Sequence, residues 1–162
     1  MAELTKLELK LAEVIGLAMA AQDSAQKVEK LVEDQALTAE LETMREEAAK
    51  AEERATEVAS DLDGKKTAVL EEARSVKQKA LEMRGDYLDE DADALDGFEF
   101  LTMAEAGELG HWAVLGALSE KAGNRAITEL VEWQLPIQQR HFETVREGSV
   151  SLAAEENPDD PA

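Results

Sequence analysis

In the first third of the chain, apolar residues recur at steps that alternate between three and four. Leu4, Leu7, Leu11, Val14, Ala18, Ala21, Ala25, Val28 and Val32 fall on one stripe, which predicts a helix from about Thr5 to Glu33. The stripe is bulky at its ends and all alanine in its middle. That suits close approach of another helix, or leaves room for something bound. A second helix is predicted from about Leu37 to Leu62, on Leu37, Leu41, Met44, Ala48, Ala51, Ala55, Val58 and Leu62. Its exposed face is expected to carry Arg45, Glu46, Glu47, Lys50, Glu52, Glu53 and Arg54, with Glu46 and Lys50 spaced as a helical ion pair. Gly64 can take the left-handed conformation and end this helix. Yet Val69, Val76 and Met83 keep the phase of Leu62, so the pattern allows either a hairpin near Gly64 or one long helix through it.

An acidic connector follows from Arg84 to Gly97, with a helix N-terminus expected near Asp93. Its Asp89, Glu90, Asp91, Asp93 and Asp96 lack the glycine and glutamate spacing of a calcium loop. Two more helices are predicted, from about Gly97 to Ala122 and from about Asn124 to Glu147. Gly123 reads as the C-terminal glycine of one and Asn124 as the N-cap of the other, which makes a tight antiparallel hairpin. After Gly148, residues 149–162 form an acidic, proline-punctuated tail expected to be disordered. The expected fold is all-α: one domain over residues 1–148, an antiparallel four- or five-helix bundle of long, alanine-rich amphipathic helices.

Charge narrows the partners. The chain carries 37 acidic and 17 basic residues, a net charge of −20. Such a surface repels phosphate backbones and anionic lipid heads, so neither nucleic acid nor membrane is an expected partner. It attracts cations, and it either serves solubility or suits a high-salt cytoplasm. There is no cysteine, which excludes disulfides, thiolate metal ligands and a cysteine nucleophile. No apolar run approaches the roughly 20 residues of a bilayer span. The N-terminal residues lack the basic-then-apolar pattern of a secretory signal, so a cytoplasmic location is expected. No Gly-x-Ser-x-Gly, phosphate loop or dinucleotide fingerprint is present, so no nucleotide cofactor is expected.

Candidate chemistry concentrates between Leu101 and His141, which contains both histidines and both tryptophans. The stripe of the fourth predicted helix reads Leu101, Ala104, Glu108, His111, Leu115, Leu118, Ala122, with Glu105 on the same side. That of the fifth reads Ile127, Leu130, Gln134, Ile137, His141, Val145, flanked by Gln138. Polar residues where leucines are expected cost stability unless they are paired or ligated. The hairpin sets His111 level with Gln134, Glu108 with Ile137 and Gln138, and Glu105 with Arg140 and His141. The candidate metal ligands are therefore Glu105, Glu108, His111, Gln138 and His141. Glu132, about half a turn away from His141, joins them only if Pro136 kinks the helix. Carboxylate and imidazole together suit iron, manganese or zinc.

Glu108-Leu109-Gly110-His111 resembles the Glu-x-x-His motif of the ferritin-like superfamily, which includes rubrerythrins and bacterioferritins. Gln138-Gln139-Arg140-His141 is similar, with glutamine in place of the glutamate. The resemblance covers mainly residues 98–147. It implies a four-helix bundle around a dinuclear iron or manganese site, built from a glutamate and a Glu-x-x-His of each half, with a role in iron or oxidant handling. The chain departs from that pattern because no histidine precedes His111. Glu13, Gln22 or Asp23 are available on the first helix, and no obvious ligand on the stripe of the second. The site would then be mononuclear, completed by a second copy in a homodimer, or filled by hydrogen bonds alone. The last case corresponds to a non-enzymatic interaction or scaffold protein. Gly107, Gly110, Ala113 and Ala117 form a small-residue stripe expected to pack on the alanines of the first helix, or else to widen an access path for a small molecule. Trp112 and Trp133, one step off the stripes, are expected as packing residues at the bundle flank or a dimer interface.

Overall fold

The computed structural model describes residues 2–162, and among them it contains five α-helices and no strand. α1 (Lys6–Glu29) opens on a capping box in which the Thr5 hydroxyl accepts from the Glu8 amide and the Glu8 carboxylate accepts from the Thr5 amide. α2 (Gln35–Ser60) starts at Asp34, whose carboxylate accepts from the Ala36 and Leu37 amides. The chain reverses at Gly64, which takes a φ of 69°, and α3 (Lys66–Tyr87) runs back as a separate helix. The hairpin, rather than the long helix, is thus the outcome. α4 (Ala94–Ala122) begins at Asp93 with a second capping box, closed by Asp96. Gly123, with φ 67°, and Asn124, which accepts from the Ile127 amide, join it to α5 (Arg125–Ala153). α5 continues through Pro136 and extends past Glu147 to Ala153, so the first part of the predicted tail is helical.

Four of these helices form an antiparallel bundle. α1 pairs with α2, α4 with α5, α1 with α4 and α2 with α5. Contacts fix the directions: Val28 packs near Gly97, Glu13 reaches His111, and Glu47 reaches Arg140. With α1 pointing up, α2 and α4 point down and α5 points up. The two pairs are therefore joined by one long crossover, and α3 is that crossover. It lies on α1 and along the edge of α2, parallel to α1, with Lys65 beside Glu8 and Lys77 beside Asp23. No helix is long and apolar enough to cross a membrane among the described residues.

The core is in two parts. The lower cluster includes Leu11, Ile15, Ala55, Val69, Trp112, Leu115 and Ile127. The upper one includes Val28, Leu41, Met44, Phe98, Leu101 and Val145. Between them lies a belt of buried polar side chains: Glu105, Glu108, Gln134, Gln138 and His141.

α1 touches three neighbours, and one small residue allows this. A Cβ on Gly16 would run into the carbonyl oxygen of Ala73 and lie 2.8 Å from the Val76 Cβ, so α3 approaches at backbone contact. Gly107 and Gly110 on α4 are the opposite case. Nothing lies within 4 Å of a Cβ built on either, and both are exposed. The expected packing of their stripe on α1 does not occur. Gly16→Ala is therefore expected to destabilise by about 1–3 kcal/mol through overpacking. Gly107→Ala and Gly110→Ala should each stabilise by about 0.5–1 kcal/mol through helix propensity. Chemical denaturation of the three variants checks both signs.

Candidate functional site

The polar belt is assembled mainly by the α4–α5 hairpin. The tight turn at Gly123 brings Glu105 of α4 against Gln138 and His141 of α5, close to the expected register. Gln138 Nε2 donates to a Glu105 carboxylate oxygen and lies 3.4 Å from the Glu105 carbonyl oxygen. Gln134 Nε2 donates to Gln138 Oε1 at 3.4 Å. His141 Nδ1 lies 3.8 Å from a Glu105 carboxylate oxygen. All of these side chains are buried.

The α1–α2 hairpin contributes one carboxylate to each half. On α1, Glu13 reaches His111 Nδ1 at 3.1 Å and also pairs with Lys10 at 2.8 Å. On α2, Glu47 lies 3.5 Å from His141 Nε2 and takes a two-pronged grip from Arg140, at 2.8 and 2.6 Å. Glu47 was expected on the exposed face of the second helix. It lies instead on the side turned to α5, one position before the buried Ala48. That flanking position beside Met44 and Ala48 was the available signal.

The α4 register also differs from the expected stripe. Its buried positions include Phe98, Leu101, Glu105, Glu108, Trp112, Leu115 and Ser119, so the inward face is rotated toward Glu105 and Trp112. His111 sits at the edge, with its side chain 43% exposed. Trp112 is wholly inside the lower cluster, not on a flank. Trp133 is partly buried beside that cluster, with the Arg54 guanidinium 4.1 Å above its ring. Glu132 is exposed and joins none of the others.

The electrostatics are unusual for an interior. Glu105 and Glu108 are one helical turn apart, and no lysine or arginine pairs with either among the described residues. Burial pushes the Glu105 carboxyl up to about 7, against the hydrogen bond from Gln138. Burial, with the neighbouring Glu105 charge adding to it, pushes Glu108 well above the usual carboxylate range. Burial lowers the His141 imidazole, against the pull of Glu47, and so favours its neutral form. Arg140 holds Glu47 below the ordinary range. The arrangement therefore offers two neutral or metal-ready carboxyls, one neutral imidazole and one firmly ionised carboxylate. His141 Nε2 and Gln134 Oε1 are buried without a hydrogen-bond partner. Among the described residues, no three carboxylate or imidazole side chains converge as a preformed metal-holding group.

Neither a family model, nor a curated protein, nor a solved structure matches this chain.

A pH dependence follows from the raised carboxyls. The folded state holds a proton on Glu105 between the unfolded value of about 4.5 and the folded value of about 7, so this contribution to stability falls as pH rises through that window. Glu108 extends the same trend to higher pH. In metal-free protein, Glu105→Gln keeps an acceptor for Gln138 and should flatten the fall. Melting curves from pH 4.5 to 8 should show the variant gaining on the wild type as pH rises, by on the order of a few kcal/mol at pH 8. A constant difference would refute the buried-proton account.

Proposed function

We propose that this protein is a metal-binding helical bundle of the ferritin-like kind, holding iron or manganese at its polar belt. The observation that carries the reading is the disposition of acid and imidazole across the two helix pairs. Each pair of facing helices contributes one carboxylate–imidazole contact, Glu13 with His111 and Glu47 with His141, and two carboxylates without a cation lie between them. A four-helix bundle with one long crossover is an arrangement that ferritin-like folds use, which supports the reading.

The donor set fits a hard or borderline cation. Carboxylate oxygens and neutral imidazole are the ligands of iron and manganese, and His141 Nε2, which makes no hydrogen bond and lies 3.5 Å from Glu47, is a donor of that kind. Glu105, Glu108, Glu47 and His141 would hold a metal ion, with Glu13 and His111 as a second cluster toward α1 and Gln138 as a supporting contact. Because these groups do not converge beforehand, loading requires rotation of the glutamate side chains. A bound ion would supply positive charge beside Glu105 and Glu108, which no lysine or arginine pairs, together with Lewis acidity and, for iron, redox chemistry. Gln138 orients Glu105, and Arg140 fixes Glu47 and keeps it ionised.

We also propose self-association as a homodimer through the outer face of α4. In a chain of net charge −20, the exposed positions Met103, Ala106, Gly107, Gly110, Ala113, Val114 and Ala117 carry no charge. Two copies can meet there without placing like charges in direct contact. Val114→Glu should convert the dimer to monomer in sedimentation equilibrium, and a wild type that is monomeric throughout would remove this part.

The chain of hydrogen bonds from Gln134 through Gln138 to Glu105 favours a second reading, a polar core that fixes helix register and binds no metal. Elemental analysis separates the two. Protein purified without chelator should carry near-stoichiometric iron, manganese or zinc, and His141→Ala and Glu108→Gln should each lose most of it. Added metal at roughly 100 times its dissociation constant should stabilise the wild type by about 2.7 kcal/mol and the variants far less. Trace metal that is indifferent to both substitutions would assign the belt to register alone.

A further inference from the structure

α3 and α4 diverge over α1 and leave a cleft of about 310 Å³. Its floor is Leu17, Ala20 and Ala21 of α1, and Phe100 and Ala104 of α4 form a wall. Met83 and Met103, 54% and 41% exposed, stand at the opening. The lining is apolar except at Ser24 and at one end, where Glu105, Glu108 and His111 meet it. The volume is that of a small-molecule site, and such sites combine an apolar body with a few convergent polar groups.

Glu108 gives the cleft its chemical preference. Its side chain is 6% exposed, lines the cleft, and makes no hydrogen bond to any described residue. His111 is engaged by Glu13, Arg140 by Glu47, and the Arg84 guanidinium by Ser24 on the cleft lining. The alanines of α1 do not all serve close packing. α3 is in backbone contact at Gly16, whereas Ala20 and Ala21 open onto the cleft.

We propose that this cleft binds a small aliphatic amine, with its alkyl chain along Leu17, Ala21 and Ala104 and its ammonium group on the carboxylates of Glu108 and Glu105. An ammonium offers three donors to the Glu105–Glu108 end of the cleft, where no lysine or arginine meets either carboxyl. The chain removes apolar surface from water at roughly 25 cal/mol per Å². An alcohol of the same length gains the second term and a single uncharged donor. The ammonium also supplies the cation that lets these buried carboxyls ionise, whereas a carboxylate of that length brings one more acid to them. The methionines at the mouth adapt to chains of different length. This goes beyond the metal reading and does not require it, although a metal ion and an ammonium would compete for Glu108.

The test is calorimetric titration of the chelator-treated full chain at pH 8 with n-hexylamine, n-hexanol and hexanoate. Hexylamine should bind at least about tenfold more tightly than hexanol, the factor expected of one added charge-assisted contact, and hexanoate should not bind. Glu108→Gln should reduce hexylamine to the level of hexanol with a melting temperature no lower than that of the wild type. Ala21→Phe should fill the cleft and abolish both. Equal affinity for amine and alcohol in the wild type, or amine binding indifferent to either substitution, would overturn the proposal. Met103 and Gly107 belong both to the cleft and to the proposed dimer face, so the titration is repeated on Val114→Glu. That variant should bind hexylamine at least as tightly as the wild type, and loss of binding in it would also overturn the proposal. The titration is free of metal, so its failure leaves the metal reading intact, and a metal-free preparation leaves the amine site intact.

Discussion

Two carboxyl groups stacked one turn apart inside a helical bundle, with no basic side chain to meet them, set the terms for everything around them. Glu105 and Glu108 cannot both ionise there without help, because each raises the cost of charging the other in a medium that solvates charge poorly. The chain answers with short-range remedies: a glutamine donating to one carboxylate, a neutral imidazole beside it, and a cleft that leaves the other in reach of solvent. Their presence divides the apolar interior into an upper and a lower cluster. Such a division sacrifices hydrophobic continuity and yields a place where a proton, a metal ion or an ammonium group can be held.

The crossover determines how open that place is. Had the chain joined α2 to α4 by a plain loop, the flank of α1 would face solvent. With α3 laid along it, the same flank becomes the floor of a cleft whose two walls belong to different parts of the sequence. The contact at Gly16 fixes α3 at backbone distance, while farther along the helix Phe100 and Tyr87, with ring centres 6.2 Å apart, set its separation from α4. Three features thus share one cause, which is that α1 has a neighbour on each of three sides.

Much of this was readable beforehand. The helix starts near Thr5 and Asp93, the cap at Asn124 and the turn at Gly123 follow from local rules of backbone satisfaction, which need no tertiary information. The approximate level of Glu105 with His141 followed from the turn. What could not be read was rotation. A stripe drawn through Ala104, Glu108, His111 and Leu118 and one through Glu105, Glu108, Trp112 and Ser119 differ by a fraction of a turn, and alanine-rich helices tolerate either. Only the volume of Trp112, which fits inside and not at the edge, decides between them. Glu47 was missed for the same reason, since a flanking glutamate looks like surface until a neighbouring helix arrives. Gly64 was undecided because a glycine permits a reversal without compelling one.

Pro136 carries a consequence for how the molecule forms. A proline within a helix removes one backbone donor and crowds the preceding turn, at about 3 kcal/mol, so α5 has little reason to be helical by itself. It becomes a continuous rod only when its apolar stripe is seated against α4 and α2. The residues on either side of the proline, Gln134 and Gln138, are the ones that enter the belt. Helix formation and assembly of the polar interior are then a single cooperative event. Substitutions that loosen the belt should appear in the molecule's folding kinetics as well as in its chemistry.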